Sequence, residues 1–341
     1  MPELRIDPLS GARVIVADER RDRPGAWDGI EPRPAVERES DPFAEGHEQR
    51  TPAELYAVRP DGSRADSPGW KVRVVPNLYP ALTAARPGAE GSSEADPLGS
   101  GRGEVDLLAA RAAVGGHEVI VSSPRSVDSL LDLSVEELEL AMGVWRERMG
   151  VHGQAACRHL IVNEGRSAGA SLPHTHAQLY ALPFVPAAVA RERERFRAYF
   201  ERTQGRNLLE DLVVEEVRRA QRLVAVDREA VAFCPFAAAV PFQLQVVPRR
   251  AVARFEDEGP LAAGLLHDAL RRLASALGAL PALNLWIRTA PSGAETFCWR
   301  IDVMPRLAQP AGLELGTGVS LNALAPERAA ARLRAVEAHA G

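Results

Sequence analysis

Short apolar strings with period two alternate along this chain with longer charged stretches of helical period. Val72-Arg73-Val74-Val75-Pro76-Asn77 predicts a strand running into a turn, and His117-Glu118-Val119-Ile120-Val121 a second strand. Ser134-Val135-Glu136-Glu137 is a capping box, and it opens a helix to about Met149. His159 to Asn163 and His174 to Leu182 read as strands. Residues 186–203 and 207–221 read as amphipathic helices, and Leu223 to Phe233 as a hairpin interrupted by Asp227-Arg228. Further helices are predicted over about 260–277 and 326–338. Residues 84–105, rich in Gly, Ser, Pro and acid, read as a mobile loop or insertion.

Comparing the halves reveals a weak internal repeat. Val121-Ser122-Ser123-Pro124-Arg125 resembles Gln245-Val246-Val247-Pro248-Arg249 at an offset of 124 residues. At that offset His174-Thr175-His176 falls on Cys298-Trp299-Arg300, and each stretch then runs through an apolar strand to a proline, Pro183 or Pro305. The expected fold is therefore α+β, with two related sheet-plus-helix halves, residues 1–184 and 185–341. Only the first half keeps the histidines.

Composition narrows the function classes. The 41 basic and 46 acidic side chains leave a net charge of −5, with no basic block to suggest a nucleic-acid partner. Three scattered cysteines, Cys157, Cys234 and Cys298, argue against a disulfide scaffold. No signal pattern opens the chain, and no apolar stretch approaches the ~20 residues that span a bilayer. A cytoplasmic protein without a membrane partner is expected.

The chemistry concentrates in one run, from Asn163 to Gln178 (NEGRSAGASLPHTHAQ). If His174 to Gln178 is extended, His174, His176 and Gln178 share a face. Gly165, Gly169 and Ser171 form a small-residue loop whose N–H groups and hydroxyl suit phosphate oxygens. A neutral imidazole is a competent nucleophile near pH 7, and attack on an α-phosphorus divides one displacement into two. Gln178 and Ser171 supply donors for the non-bridging oxygens. Gln178 is neutral, where a third histidine could pass a proton to water or a leaving group, so it favours transfer over hydrolysis. His117 reads as a sheet histidine with no catalytic task.

HxH alone is a weak signal, but HxHxQ preceded by N-x-G-x3-G-x-S resembles the galactose-1-phosphate uridylyltransferase family of the histidine-triad superfamily. The resemblance covers nearly the whole chain. Arg20-Arg21-Asp22-Arg23-Pro24 is similar to the family's N-terminal RxxRP element, and Val75-Pro76-Asn77-Leu78-Tyr79-Pro80 to its uridine-contacting strand end. Pro305-Arg306-Leu307 and Ala311-Gly312-Leu313-Glu314 are similar to its sugar-phosphate region. The resemblance implies a homodimer in which His176 carries the nucleotidyl group. It implies that Asn163, Ser171 and Gln178 hold phosphate, with Gly169 in the same loop. It also implies that Arg20, Arg23 and Asn77 bind nucleotide, and it assigns Glu314 to the sugar end.

The chain departs from the family where metals are held. The family's structural zinc positions correspond here to Asp41, Ala44, Ser126 and His174. Zinc needs four donors, so no zinc is expected; Asp41 is expected to accept a hydrogen bond from His174, which becomes an orienting residue. A second family metal has its ligand positions at Glu192, Arg288, Cys298 and Arg300. Guanidinium groups do not ligate cations, so Glu192 is expected to pair with Arg288 or Arg300 instead.

The leading expectation is ping-pong UMP transfer between UDP-glucose and a hexose 1-phosphate such as galactose 1-phosphate. The string Glu314-Leu315-Gly316-Thr317-Gly318 looks more like adenylyl-transferring relatives, and Ser320 stands where strict galactose enzymes have glutamine. Phosphorolysis of ADP-glucose or of a dinucleoside polyphosphate is therefore the alternative. A non-catalytic nucleotide-binding relative is the third class.

Overall fold

The computed structural model describes residues 1–22, 30, 36–84, 108, 110 and 112–336. Most of the expected 84–105 loop and Arg23 lie outside the described residues. In chain order the first elements are β1 (Glu3–Ile6), β2 (Arg13–Val16), β3 (Tyr56–Val58), β4 (Val72–Pro76) and β5 (Gly116–Val121). Then come α1 (Val135–Val151), β6 (Cys157–Glu164), β7 (His176–Leu182), α2 (Ala187–Thr203) and α3 (Leu208–Arg219). The remainder is β8 (Leu223–Val226), β9 (Ala230–Phe233), β10 (Leu244–Pro248), α4 (Ala263–Leu277), β11 (Leu283–Arg288), β12 (Arg300–Pro305), α5 (Gly312–Thr317), β13 (Ser320–Asn322) and α6 (Pro326–Ala335).

Ten strands form one sheet in the order β3-β4-β5-β7-β6-β11-β12-β10-β9-β8. The order reads as a five-strand series followed by its mirror. The two series meet at the antiparallel β6–β11 pair, where Asn163 faces Asn284. The expected α+β fold is what the chain adopts. Positions related by the offset of 124 occupy corresponding strands, β5 with β10 and β7 with β12.

One face of the sheet carries α1 and α4. Leu138, Met142 and Trp145 of α1, and Leu266, Leu270 and Leu273 of α4, pack on Ile120, Leu160, Val162, Leu179, Leu285 and Val303. Each such side chain removed from water contributes about 1.5–3 kcal/mol before entropy is counted. The expected capping box starts α1: Ser134 Oγ accepts the Glu137 N–H at 3.2 Å, and the Glu137 carboxylate accepts the Ser134 N–H at 2.8 Å. On the opposite face, α2 and α3 cover the second series through Phe196, Leu209 and Val213. Among the described residues, the first series is covered there by a small cluster, Phe43 and Trp70 over Val75, Val119 and Val121. The face of β7 that carries His176 and Gln178 lies on this side of the sheet, opposite Val121 and Val119 of β5.

Among the strands not legible in the period-two pattern are three short ones, of which β1 and β2 form a local hairpin and β13 joins β2 from more than 300 residues away. β1, β2 and β13 form a separate sheet, with β13 parallel to β2. Arg5, mostly buried, ties it to α6 through Glu327 at 3.0 Å.

Candidate active site

β7 begins at His176, not at His174. This corrects the expectation of a single extended face from 174 to 178. The chain bends through residues 171–174 after the loop from β6, and Pro173 cannot donate to a ladder. His174 is thereby turned away from the strand and buried, 1 % exposed. Its Nδ1 meets Asp41 Oδ2 at 2.7 Å, and its Nε2 lies 3.0 Å from the Ser123 carbonyl. Asp41 Oδ2 also accepts the Ser126 hydroxyl at 2.6 Å, and Asp41 Oδ1 the Phe43 N–H at 2.9 Å. The expected Asp41–His174 hydrogen bond is present. Burial pushes the Asp41 carboxyl up, but the hydrogen bond and charge of His174 and the Ser126 hydroxyl together bring it below its ordinary value.

These residues do not fit a structural zinc. Ala44 offers no donor, and Ser126 donates its proton to Asp41. Two ligand atoms each about 2.0 Å from a tetrahedral ion stand more than about 3 Å apart. Here Nδ1 and Oδ2 are in direct hydrogen-bond contact. Among the described residues, no group of three or more His, Cys, Asp or Glu is gathered to hold a metal ion. At the second position Glu192 pairs with Arg300 at 3.0 Å and Arg288 at 3.5 Å, as expected. Arg300 also contacts Asp302 at 3.0 Å. Burial pushes the Arg300 guanidinium down, but Asp302 and Glu192 outweigh it and hold the charge.

His176 gives its Nδ1 proton to the His174 carbonyl at 2.8 Å. That bond fixes the tautomer and leaves the Nε2 lone pair unprotonated. Phe43 stands edge-on with its centroid 5.1 Å from the His176 ring. Burial lowers the imidazole's pKa, against the opposing pull of the bond to His174, and so favours the neutral, nucleophilic form.

The strand alternates from there. Ala177 and Leu179 enter the helix-covered core, while His176, Gln178 and Tyr180 share the other face. On neighbouring β6, Ile161 is opposite Gln178 and Val162 opposite Ala177, which places Asn163 beside His176. Asn284 of β11 donates from Nδ2 to Asn163 Oδ1 at 2.8 Å and to the Ala168 carbonyl at 2.8 Å. Asn163 therefore has its oxygen occupied and its NH2 left as a donor. Asn284 was missed because Leu283–Arg288 was not read as a strand; the signal was the alternation of Asn284, Trp286 and Arg288 against Leu283, Leu285 and Ile287.

The loop from β6 to β7 differs from expectation in one respect. Gly165 and Gly169 have φ of 84° and 85°, a left-handed region that glycine enters freely. The N–H groups of Ala168, Gly169 and Ala170 donate back to Gly165 and Arg166 carbonyls, so they are engaged within the loop. The exposed Ser171 hydroxyl and the two amide side chains are then the donors that face outward. Buried Glu164 anchors the loop, accepting from Leu130 N at 2.5 Å, Ser129 Oγ at 2.9 Å and Thr175 Oγ1 at 3.0 Å.

Asn77 follows β4 and lies beside His117, its Nδ2 3.2 Å from the ring Nε2. Arg20 sits exposed in a 3-10 turn (Asp18–Asp22) after β2. Glu314 is not drawn into the cluster. Its carboxylate accepts the Ala311 N–H at 2.9 Å and caps α5, beside the small sheet. Two clefts of about 610 and 590 Å³ lie elsewhere, beside α2 and α3 and beside Arg228 and Arg249, and neither is lined by this cluster.

This arrangement sits within a matched family. The profile described as galactose-1-phosphate uridyl transferase, N-terminal domain, matches residues 1–186. The chain belongs to the galactose-1-phosphate uridylyltransferase family. A second profile, a domain of unknown function named DUF4921, matches residues 157–338. The chain is 31 % identical to an ADP-glucose phosphorylase from Arabidopsis thaliana, across 98 % of this chain and 93 % of that one. It is 28 % identical to a probable galactose-1-phosphate uridylyltransferase from Drosophila melanogaster, across 75 % and 68 %. Among solved structures, an Arabidopsis thaliana ADP-glucose phosphorylase with bound ADP-glucose superposes with a TM-score of 0.77 at 28 % identity, covering 98 % of this chain and 99 % of the other. A uridylyltransferase superposes with a TM-score of 0.71 at 25 % identity, covering 98 % of each. The relatives of this family are nucleotidyl-transferring enzymes, and the chain is of that kind.

Proposed function

We propose that this protein transfers a nucleoside monophosphate from a nucleotide sugar to a phosphate acceptor, with His176 as the covalent carrier. The observation that carries the reading is the His176 Nδ1 bond to the His174 carbonyl, which leaves Nε2 as a free lone pair on the face shared with Gln178. In the first step Nε2 attacks the α-phosphorus. The bond from that phosphorus to the sugar 1-phosphate oxygen breaks, and sugar 1-phosphate leaves. In the second step an oxygen of the acceptor phosphate attacks the same phosphorus, and the phosphorus–nitrogen bond breaks. Asn163, Gln178 and Ser171 donate to the non-bridging oxygens through both displacements. Asn77, Arg20 and Arg23 are assigned to the nucleotide, and His174 orients the nucleophile through its carbonyl.

For the donor we favour ADP-glucose with inorganic phosphate as acceptor, giving glucose 1-phosphate and ADP. The near full-length likeness to an ADP-glucose phosphorylase supports this choice. Uridylyl transfer from UDP-glucose to a hexose 1-phosphate is the second reading, supported by the match of residues 1–186 to the uridyl transferase profile.

Incubation with ADP-glucose or UDP-glucose labelled in the α-phosphate tests both. An acid-labile, base-stable adduct is expected with one donor and is lost in His176→Asn. Labelling retained in His176→Asn would remove the mechanism, and labelling by UDP-glucose alone would reverse the choice of donor.

A further inference from the structure

His117 stands on β5 directly opposite Tyr180 of β7, and the two rings stack with centroids 4.1 Å apart. Three polar contacts surround the imidazole. The Ala81 N–H lies 3.1 Å from Nδ1, Gln178 Oε1 lies 3.1 Å from Nε2, and Asn77 Nδ2 lies 3.2 Å from the same Nε2. A backbone N–H only donates, so it requires a bare Nδ1, and a neutral ring then carries its proton on Nε2. That tautomer satisfies both the Ala81 and Gln178 contacts. The opposite tautomer would satisfy only Asn77, whose carbonyl already accepts the Tyr79 N–H at 2.8 Å. Burial keeps the ring neutral, pulling its pKa down against the Gln178 contact, so a second proton does not reopen the choice.

The consequence falls on Gln178. Its Oε1 accepts from His117 Nε2–H and from the Tyr180 hydroxyl at 3.2 Å. With the oxygen held from two sides, the amide is prevented from flipping, and its NH2 points away from His117. Among the described residues no acceptor meets that NH2. An unflipped amide is what a phosphate-facing glutamine needs, because the flipped form would turn a carbonyl oxygen against anionic oxygens.

We propose that His117 is a positioning residue for nucleotidyl transfer: anchored by the Ala81 N–H, it fixes the Gln178 amide so that both of its N–H donors face the reacting phosphate. The catalytic consequence rests on the transfer reading above, while the tautomer and the amide orientation do not.

Two measurements on the full chain decide it. Nitrogen-15 NMR of His117, assigned by loss of its signal in His117→Phe, should show an unprotonated Nδ1 and a protonated Nε2. A ring protonated on Nδ1 overturns the proposal whether or not the protein labels. The second is a cycle of His117→Phe and Gln178→Ala, read as the rate of adduct formation with labelled ADP-glucose or UDP-glucose. His117→Phe should slow labelling about tenfold with Gln178 present and less than about twofold in Gln178→Ala. Equal slowing in both backgrounds, or none in either, overturns it. His117→Gln, which keeps an N–H near the Nε2 position, should restore most of the rate and separates loss of the donor from loss of fold. A wild-type chain that takes no label from any donor would defeat the transfer reading alone, and the NMR result would still decide the lock.

Discussion

Asp41 and His174, 133 positions apart in sequence, meet through a 2.7 Å hydrogen bond inside the protein. That bond ties the Asp41 turn to the bend before β7. Asp41→Ala removes the carboxylate from His174 and Ser126 together and strands a buried imidazole. A loss of about 3 kcal/mol is expected, measured by urea unfolding at pH 7. A loss below about 1 kcal/mol would mean that the bend is held by something else.

Glu192 is the counterpart in the second half. It is buried between Arg300 and Arg288. Glu192→Ala removes the carboxylate shared by two guanidinium groups, leaving Asp302 and the more distant Asp7 beside Arg300, and should cost about 3–5 kcal/mol. In Glu192→Ala/Arg300→Met the cost should be smaller than the sum of the single losses, since one stranded charge leaves with its partner. Additive losses in urea titrations would contradict the pairing.

Glu118 gives the clearest dependence on pH. It joins β5 to α1, accepting from Arg148 at 2.7 and 2.9 Å and from His152 at 2.7 Å. Burial pushes its carboxyl up, but the bonds from His152 and Arg148 prevail and hold it below its ordinary 4.5. A carboxylate depressed on folding stabilises above its unfolded pKa, and that contribution is lost as pH falls through the folded value. Glu118→Gln should therefore cost about 2 kcal/mol at pH 7, and the gap from wild type should close progressively below pH 4.5. A gap that stays constant from pH 7 to 3, by thermal or urea unfolding, would show that the charge is not what matters.

The features read well from sequence are those set by near neighbours. The capping box at Ser134 and the hairpin around Asp227-Arg228 depend on residues a few positions apart. The Asn163 to Gln178 run carries its chemistry in one stretch of chain, so the family was legible there. The orientation of His174 was not, because alternation was extended across a bend that ends only at His176. The tasks of His117 and Asn284 were hidden for a different reason. Each acts through a side chain on an adjacent strand, His117 through Gln178 and Asn284 through Asn163, and strand order and register are properties of the sheet. Glu314, which the resemblance assigns to the sugar end, accepts the Ala311 N–H at the first turn of α5, a local contact of its own capping pattern.

The small three-stranded sheet has a temporal consequence. Strand β2 precedes its parallel partner β13 by all ten strands of the large sheet. The Ala325 N–H that closes on Asp18 is 307 positions away. While the chain is still being made, the histidine strand has its neighbours β5 and β6 already available, whereas the arm bearing Arg20 has no β13 to dock against. The docking of β2 on β13 therefore waits until residues 320–322 have been made. A chain halted before residue 320 would carry the nucleophile on a formed strand and leave the arm with Arg20 unseated.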